Sequence, residues 1–220
     1  MPQHPGLNGS LTGKETAETC PAALLIIDVI NDFQCEQGEP VTRFVAHMAE
    51  RIAELKKRAK AAKVPCIYVN DNFGRWRSDV HDLVQYCSRE SARCRDVVEC
   101  LAPEKDDYFV LKPMLSGFYA TVLDPLLHQL AAKTLILAGV CANVCVFFTA
   151  ADAYMRGYKL VVPSDCVAAA SGTDCGYALD QMRRIFKAEV HPSAEIDVEA
   201  LARRSPDCVA VDAGAVLAKT

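Results

Sequence analysis

The sequence predicts a doubly wound α/β fold, a mainly parallel six-stranded sheet with helices packed on both faces. Three observations carry this expectation. Residues 22–27 (AALLII) and 134–138 (TLILA) are short unbroken apolar runs, as strands covered on both faces require. Segments with helical spacing lie between such runs, so strands and helices alternate along the chain. Asp28 and Lys112 each follow an apolar run directly, and the carboxyl edge of the strands is where open α/β sheets hold ligands.

Taken in order, residues 1–20 are polar and read as a flexible arm, followed by a single domain over residues 21–220. The first strand ends at Asp28, a carboxylate that is costly there unless paired or exposed at the edge. Asp32 fits a turn or cap better, and Phe33 is a candidate pocket wall, although such a residue also suits a core. Gly38-Glu39-Pro40 marks a loop. Residues 41–62 read as a long amphipathic helix with Phe44, Val45, Met48, Ile52 and Leu55 on one face. Its Lys/Arg-rich end suits the helix dipole and reads as a solvated face. Residues 64–70 (VPCIYVN) are the second strand. The following loop, DNFGRWRS, carries the only tryptophan, Trp76, as a second candidate wall, with arginines available for an anionic group.

Residues 81–100 read as one or two short helices, and residues 108–111 (YFVL) as the third strand, which ends at Lys112. Such a lysine either snorkels at the surface or acts as a cation beside an acid or thiol. Tyr119, in the loop after it, is the third candidate wall. A helix is expected over 122–130, a strand over 159–162, and a helix capped near Thr173-Asp174 that runs to about Phe186. The sixth, short strand is expected at Glu189-Val190. Residues 197–220 read as a short helix, a Pro turn and an alanine-rich tail.

The stretch 133–157, KTLILAGVCANVCVFFTAADAYMRG, organises the chain. The strand stops at Gly139. From about Asn143 the apolar residues Val144, Phe147, Phe148, Ala151, Tyr154 and Met155 recur at helical spacing, and Gly157 takes the helix-stop role. Cys145 therefore sits where a tight turn becomes a helix. The first backbone N–H groups of a helix lack intrahelical partners and lie at its positive end. Such a position stabilises a thiolate and an oxyanion alike. A small buried hydrophobe fits the same residue.

Composition excludes several function classes. Half of the 220 residues are apolar, the net charge is −4, and no basic block interleaved with aromatics exists, which argues against nucleic acid. No apolar run approaches the roughly 20 residues of a membrane helix. The eleven cysteines are irregularly spaced without a C-x-x-C pair, and the first 20 residues lack an apolar signal core. Reduced thiols and a cytoplasmic location are the expectation.

Three separated motifs resemble the isochorismatase-like cysteine hydrolase superfamily, the group of nicotinamidases, N-carbamoylsarcosine amidases and ureidoacrylate hydrolases. They are IIDVINDF (26–33), LKPMLSGF (111–118) and GVCANVCVFFTAADAYMRGY (139–158), followed by VVPSDCVAA (161–169). The resemblance spans about residues 22–190. It implies a catalytic triad of Asp28, Lys112 and Cys145, a cis Val140–Cys141 peptide, and an oxyanion hole from the backbone N–H groups of Cys141 and Cys145. It also implies hydrolysis of a small amide, ureido or related C–N substrate through a thioester, without a cofactor.

Departures from the family pattern narrow this. Nicotinamidases carry an Asp-x-His metal motif; here Asp71 is followed by Asn72 and Phe73, with His81 distant, so no catalytic metal is expected. The usual Gln of the first motif is Ile30. Vinyl-ether-cleaving isochorismatases commonly lack the cysteine, which leaves that reaction as the alternative, with a non-catalytic binding or assembly role as a third. Relatives are usually dimers or tetramers, so a homo-oligomer is the expected assembly, with a small-molecule substrate and neither nucleic acid nor membrane as partner.

Overall fold

Six strands form one parallel sheet: β1 (Ala22–Ile27), β2 (Cys66–Asp71), β3 (Tyr108–Lys112), β4 (Thr134–Val140), β5 (Lys159–Val161) and β6 (Val167–Ala168). They run in the order β3-β2-β1-β4-β5, and β6 pairs with the far end of β4, beyond β5. The computed structural model describes residues 19–33, 38–74, 80–89, 92 and 94–203. Residues 1–18 of the expected arm and the tail from residue 204 lie outside the described residues. Cys20, placed in that arm by the sequence, is instead buried, and its N–H donates to Leu130 O at 2.8 Å.

Alternation along β1 divides the core. Ala22, Leu24 and Ile26 face α1 (Gly38–Ala61), α2 (Val80–Cys87), α3 (Arg95–Cys100) and α7 (Val198–Arg203). Ala23, Leu25 and Ile27 face α4 (Leu123–Gln129), α5 (Cys145–Met155) and α6 (Gly172–Arg184). All six residues of β1 and all seven of β4 are buried, as a central parallel strand covered by helices demands. The doubly wound expectation therefore holds.

Several local expectations change. Gly38-Glu39-Pro40 belongs to the first turn of α1 rather than to a loop; a proline is tolerated there because the first N–H groups of a helix have no intrahelical acceptor. Phe44 is exposed, whereas Val45, Met48, Ile52 and Leu55 are buried. The basic end of α1 is not simply solvated. Lys56 is buried against Asp107 (2.7 Å) and Tyr68 Oη (3.1 Å), and Arg58 donates to the carbonyls of Ser193 and Ile196. These contacts tie α1 to the sheet and to the segment before α7.

Gly139 does not end its strand. It continues β4 with φ +115°, and a Cβ there would lie 2.0 Å from Ile27 O, so its lack of a side chain lets β1 and β4 close at their carboxyl ends. The sixth strand is Val167–Ala168 rather than Glu189-Val190; Glu189 makes only an isolated bridge to Val161. The cap of α6 is Ser171, whose Oγ accepts from Asp174 N at 3.0 Å, rather than Thr173.

The apolar stripe read along α5 is the larger correction. The side chains that α5 buries are Val146, Thr149, Ala150 and Ala153, whereas Phe148 and Met155 are exposed. Small residues face the sheet because the helix packs close to it. The larger apolar ones point elsewhere.

Candidate active site

Strand order reverses direction between β1 and β4, and at such a switch point the loops leaving the two strands part and open a crevice. Asp28 follows β1, Lys112 ends β3, and Cys145 opens α5 after the turn that leaves β4. The fold brings all three together. Lys112 Nζ lies 2.9 Å from Asp28 Oδ2 and 3.6 Å from Cys145 Sγ. It also donates to Met114 O at 3.0 Å. The lysine is fully buried, so the snorkelling alternative is excluded. Its three protons have three acceptors within reach, which is how a buried ammonium is tolerated.

Asp28 has φ +52°, a left-handed conformation uncommon outside glycine but better tolerated by Asp. That turn holds its carboxylate beside Lys112, while its Oδ1 accepts from Asp71 N at 2.7 Å. Phe33 and Phe73, in the loops after β1 and β2, also have positive φ, near +50°. For a bulky residue this is a rarer conformation, of the kind that collects at functional loops. The Val140–Cys141 peptide is cis, in the turn before Cys145. Cys141 O accepts from Val144 N (3.0 Å) and Val146 N (3.2 Å), and Ala142 N donates to Ala168 O at 2.7 Å, which anchors the turn to β6.

Electrostatics set the protonation state. Burial pushes the Cys145 thiol well up, and the neighbouring Asp28 carboxylate adds to this; Lys112 pulls the other way without winning. The helix N-terminus does not by itself make Cys145 a resting thiolate. Burial also raises Asp28, against the opposing pull of Lys112 and the hydrogen bonds from Cys145, Lys112 and Asp71. Burial works against charge on Lys112, but Asp28, then Cys145 and Asp71, outweigh it and hold the ammonium above the ordinary lysine range. Burial and Asp28 thus favour the protonated thiol, while Lys112, within 2.9 Å of Asp28 and 3.6 Å of Cys145, keeps its charge.

Two residues that sequence reasoning did not assign to this centre complete it. Asn70 is fully buried, and its amide donates to Ile30 O at 2.8 Å and accepts from Ile30 N at 3.3 Å. It thereby braces the loop after β1 through the backbone of the residue that replaces the family's Gln. Asp71 is paired in register with Lys112 and has Oδ2 3.7 Å from its Nζ. Asp71 Oδ1 accepts from Phe73 N at 2.6 Å, so its carboxylate already has partners on both oxygens. Among the described residues no group of three or more His, Cys, Asp or Glu side chains is placed to hold a metal ion. A signal for Asp71 existed: like Asp28 and Lys112, it stands at the carboxyl end of an apolar strand.

The proposed pocket walls divide. Phe33 is buried in the core on the α1 side, Tyr119 is exposed on the loop after β3, and Trp76 lies outside the described residues. A cavity of about 770 Å³ lined by His81, Glu104, Asp107 and Phe109 among others lies along the β3 edge and includes none of the three central residues. Among the described residues no helix is long and apolar enough to cross a membrane.

Comparison with known proteins identifies the family. The isochorismatase domain family matches residues 22–195. The isochorismatase family protein YaaI of Bacillus subtilis is 39% identical over 174 residues, covering 79% of this chain and 95% of the relative. A cysteine hydrolase from Pseudomonas syringae pv. phaseolicola superposes with TM-score 0.63 at 30% identity, over 82% of this chain and 93% of that one. N-carbamoylsarcosine amidase from Thermoplasma acidophilum superposes with TM-score 0.62 at 28% identity, over 80% and 98%. With this match running through the segments that carry Asp28, Lys112 and Cys145, the chain belongs to the isochorismatase family of hydrolases.

Proposed function

We propose that the protein is a cysteine amidohydrolase that cleaves a small amide, ureido or related C–N substrate through a thioester on Cys145. The observation that carries this reading is the cluster of Cys145 Sγ, Lys112 Nζ and the Asp28 carboxylate at the carboxyl edge of the sheet. The similar N-carbamoylsarcosine amidase and cysteine hydrolase support the reaction class.

Asp28 accepts the Sγ proton as Sγ bonds to the substrate carbonyl carbon. The new oxyanion is received by the backbone N–H groups of Cys141 and Cys145; the latter, as the first residue of α5, has no intrahelical acceptor. Asp28 then returns the proton to the leaving nitrogen as the C–N bond breaks. Water, losing a proton to Asp28, attacks the thioester; the C–S bond breaks and the proton returns to sulfur. Lys112 stays charged throughout and offsets the negative charge that moves between Asp28 and sulfur. No step draws on a cofactor or a metal.

The raised thiol gives this order a physical reason. Nucleophile and base share the Lys112 ammonium as neighbour, 3.6 Å from Sγ and 2.9 Å from the Asp28 carboxylate, and the thiolate forms only as attack begins. The acid limb of kcat/KM against pH is therefore expected to follow Asp28, which must be ionised to accept the proton. Its midpoint should lie above the ordinary aspartate value of about 4. A profile flat down to pH 4 would remove Asp28 as the base.

The covalent step is tested by acid-quenching turnover of a panel of small ureido compounds and carboxamides, scored first by ammonia release. Intact mass and peptide mapping should find an acyl adduct on the peptide that carries Cys145. Turnover that leaves no adduct and survives iodoacetamide treatment would overturn the thioester route.

A further inference from the structure

We propose that Thr149 and Asp152 are positioning residues that fasten the loop after β3 along α5 and so hold the Lys112 ammonium against the Cys145 thiol. The proposal rests on the reading of Asp28, Lys112 and Cys145 as the reacting centre. Cys145, Thr149 and Asp152 stand at i, i+4 and i+7 of α5, which puts them on one stripe of the helix. Residues 112–117 meet that stripe three times. Lys112 Nζ lies 3.6 Å from Cys145 Sγ, Gly117 N donates to Thr149 Oγ1 at 3.0 Å, and Ser116 Oγ donates to Asp152 Oδ2.

Helix composition marks the same two residues. Apart from them, its cysteine and Tyr154, the sequence of α5, CVFFTAADAYM, is apolar. Thr149 is fully buried, so its hydroxyl needs a partner where it stands. The loop backbone is that partner. Arg156 Nη1 donates to Asp152 Oδ1 at 2.8 Å, which leaves Oδ2 for Ser116. The loop comes this close because residue 117 is a glycine. A Cβ there would lie 2.8 Å from Val69 Cγ1 and 3.5 Å from Thr149 Cγ2.

The anchors reach the lysine through a short span. Only Pro113, Met114 and Leu115 separate the end of β3 from Ser116, and the proline ring fixes one backbone angle of that span. The span presents the Met114 carbonyl to Lys112 Nζ at 3.0 Å. Without that carbonyl the ammonium keeps the Asp28 carboxylate at 2.9 Å and the Asp71 carboxylate at 3.7 Å. Sulfur is the weakest acceptor of the four. A loop released from α5 therefore lets Nζ turn to the carboxylates and leave Sγ.

Alkylation of Cys145 by iodoacetamide at one mildly alkaline pH, read by peptide mapping of the full chain, tests this without turnover. The exposed Cys100 in the same digest is the reference. Ser116→Ala and Thr149→Val should each slow Cys145 relative to Cys100 by about tenfold, the thiolate lost when a thiol pKa rises by one unit. Thr149→Ser, which keeps the hydroxyl, should restore the wild-type rate. Gly117→Ala, which keeps both anchoring side chains and displaces the loop by contact with Val69, should match Ser116→Ala and serves if Thr149→Val does not fold. On an amide that the wild type cleaves, the slowed variants should lose about a hundredfold in kcat, as a misplacement of about 1 Å does, with KM little changed. A merely structural role predicts the reverse: a loosened fold exposes Cys145 and speeds its labelling. Faster labelling, or labelling indistinguishable from wild type in all three slowed variants, would overturn the positioning role. A wild type that cleaves no amide would count against the amidohydrolase reading alone, and the labelling comparison would still decide this one.

Discussion

Cys145→Ala is expected to lower kcat on any amide substrate by about four to six orders of magnitude, the loss seen when a nucleophile is removed from a hydrolase that keeps its oxyanion hole. Stability should change little. Cys145 is part-buried at the first residue of α5, and its removal deletes one sulfur without truncating a packed chain. A 1 kcal/mol loss would move the midpoint of thermal unfolding by only about 2–4 °C in a chain of this size. Steady-state turnover and thermal unfolding of the same preparation check both parts. Turnover within tenfold of wild type would mean that sulfur does not bond to substrate, and would move the reading to vinyl-ether hydrolysis. Two of the other thiols are poor substitutes for Cys145. Cys66 and Cys166 are buried, and their thiols are pushed up to about 12 by that burial.

Lys112→Ala should fail in both measurements. The ammonium is fully buried between Asp28 at 2.9 Å and Asp71 at 3.7 Å. Removing it leaves the Asp28 carboxylate without its cation in a site where water cannot take over. Breaking a buried pair from one side costs about 3–5 kcal/mol, or about 10 °C of thermal midpoint.

The sign of the pH dependence follows. Asp28 already titrates above its unfolded value because of burial, and loss of Lys112 raises it further. A carboxyl raised by folding supports the native state below its unfolded pKa and withdraws that support as pH rises through the folded one. The deficit of the variant should therefore be largest near neutrality and shrink as pH falls toward about 4. Asp28→Asn combined with Lys112→Ala should recover part of the stability and none of the activity. A single variant as stable as wild type at neutral pH would mean that the lysine is not the counter-ion of Asp28.

Much of the centre was legible because parallel sheets write themselves plainly. A strand covered on both faces must be apolar throughout, so AALLII and TLILA stand out, and β1 begins and ends where the sequence places it. A charge immediately after such a run has few structural reasons to be there, which marks Asp28 and Lys112, and the turn from strand to helix after TLILA marks Cys145. Right-handed crossovers then place strand ends on one edge. Asn70 escaped notice because nothing local distinguishes a buried asparagine that binds a distant backbone from one that caps a turn. Lys56, four to five helical turns into α1, looked like a solvated lysine because its acid partner, Asp107, lies 51 positions away.

The sequence by itself determined the fold class, the family and the identity of the three residues at the strand ends, because strand burial and motif spacing are local properties. Only the tertiary structure decided what state those residues rest in and what surrounds them. Whether the Cys145 thiol is held up by burial and Asp28 or drawn down by Lys112 and the helix end depends on distances across three strands. Which side of α5 meets the sheet depends on how closely helix and sheet approach. That approach selects Ala150 and Ala153 for the inside and leaves Phe148 and Met155 outward. Charge state and packing face are both set by neighbours far away in the chain, and no window of sequence contains them.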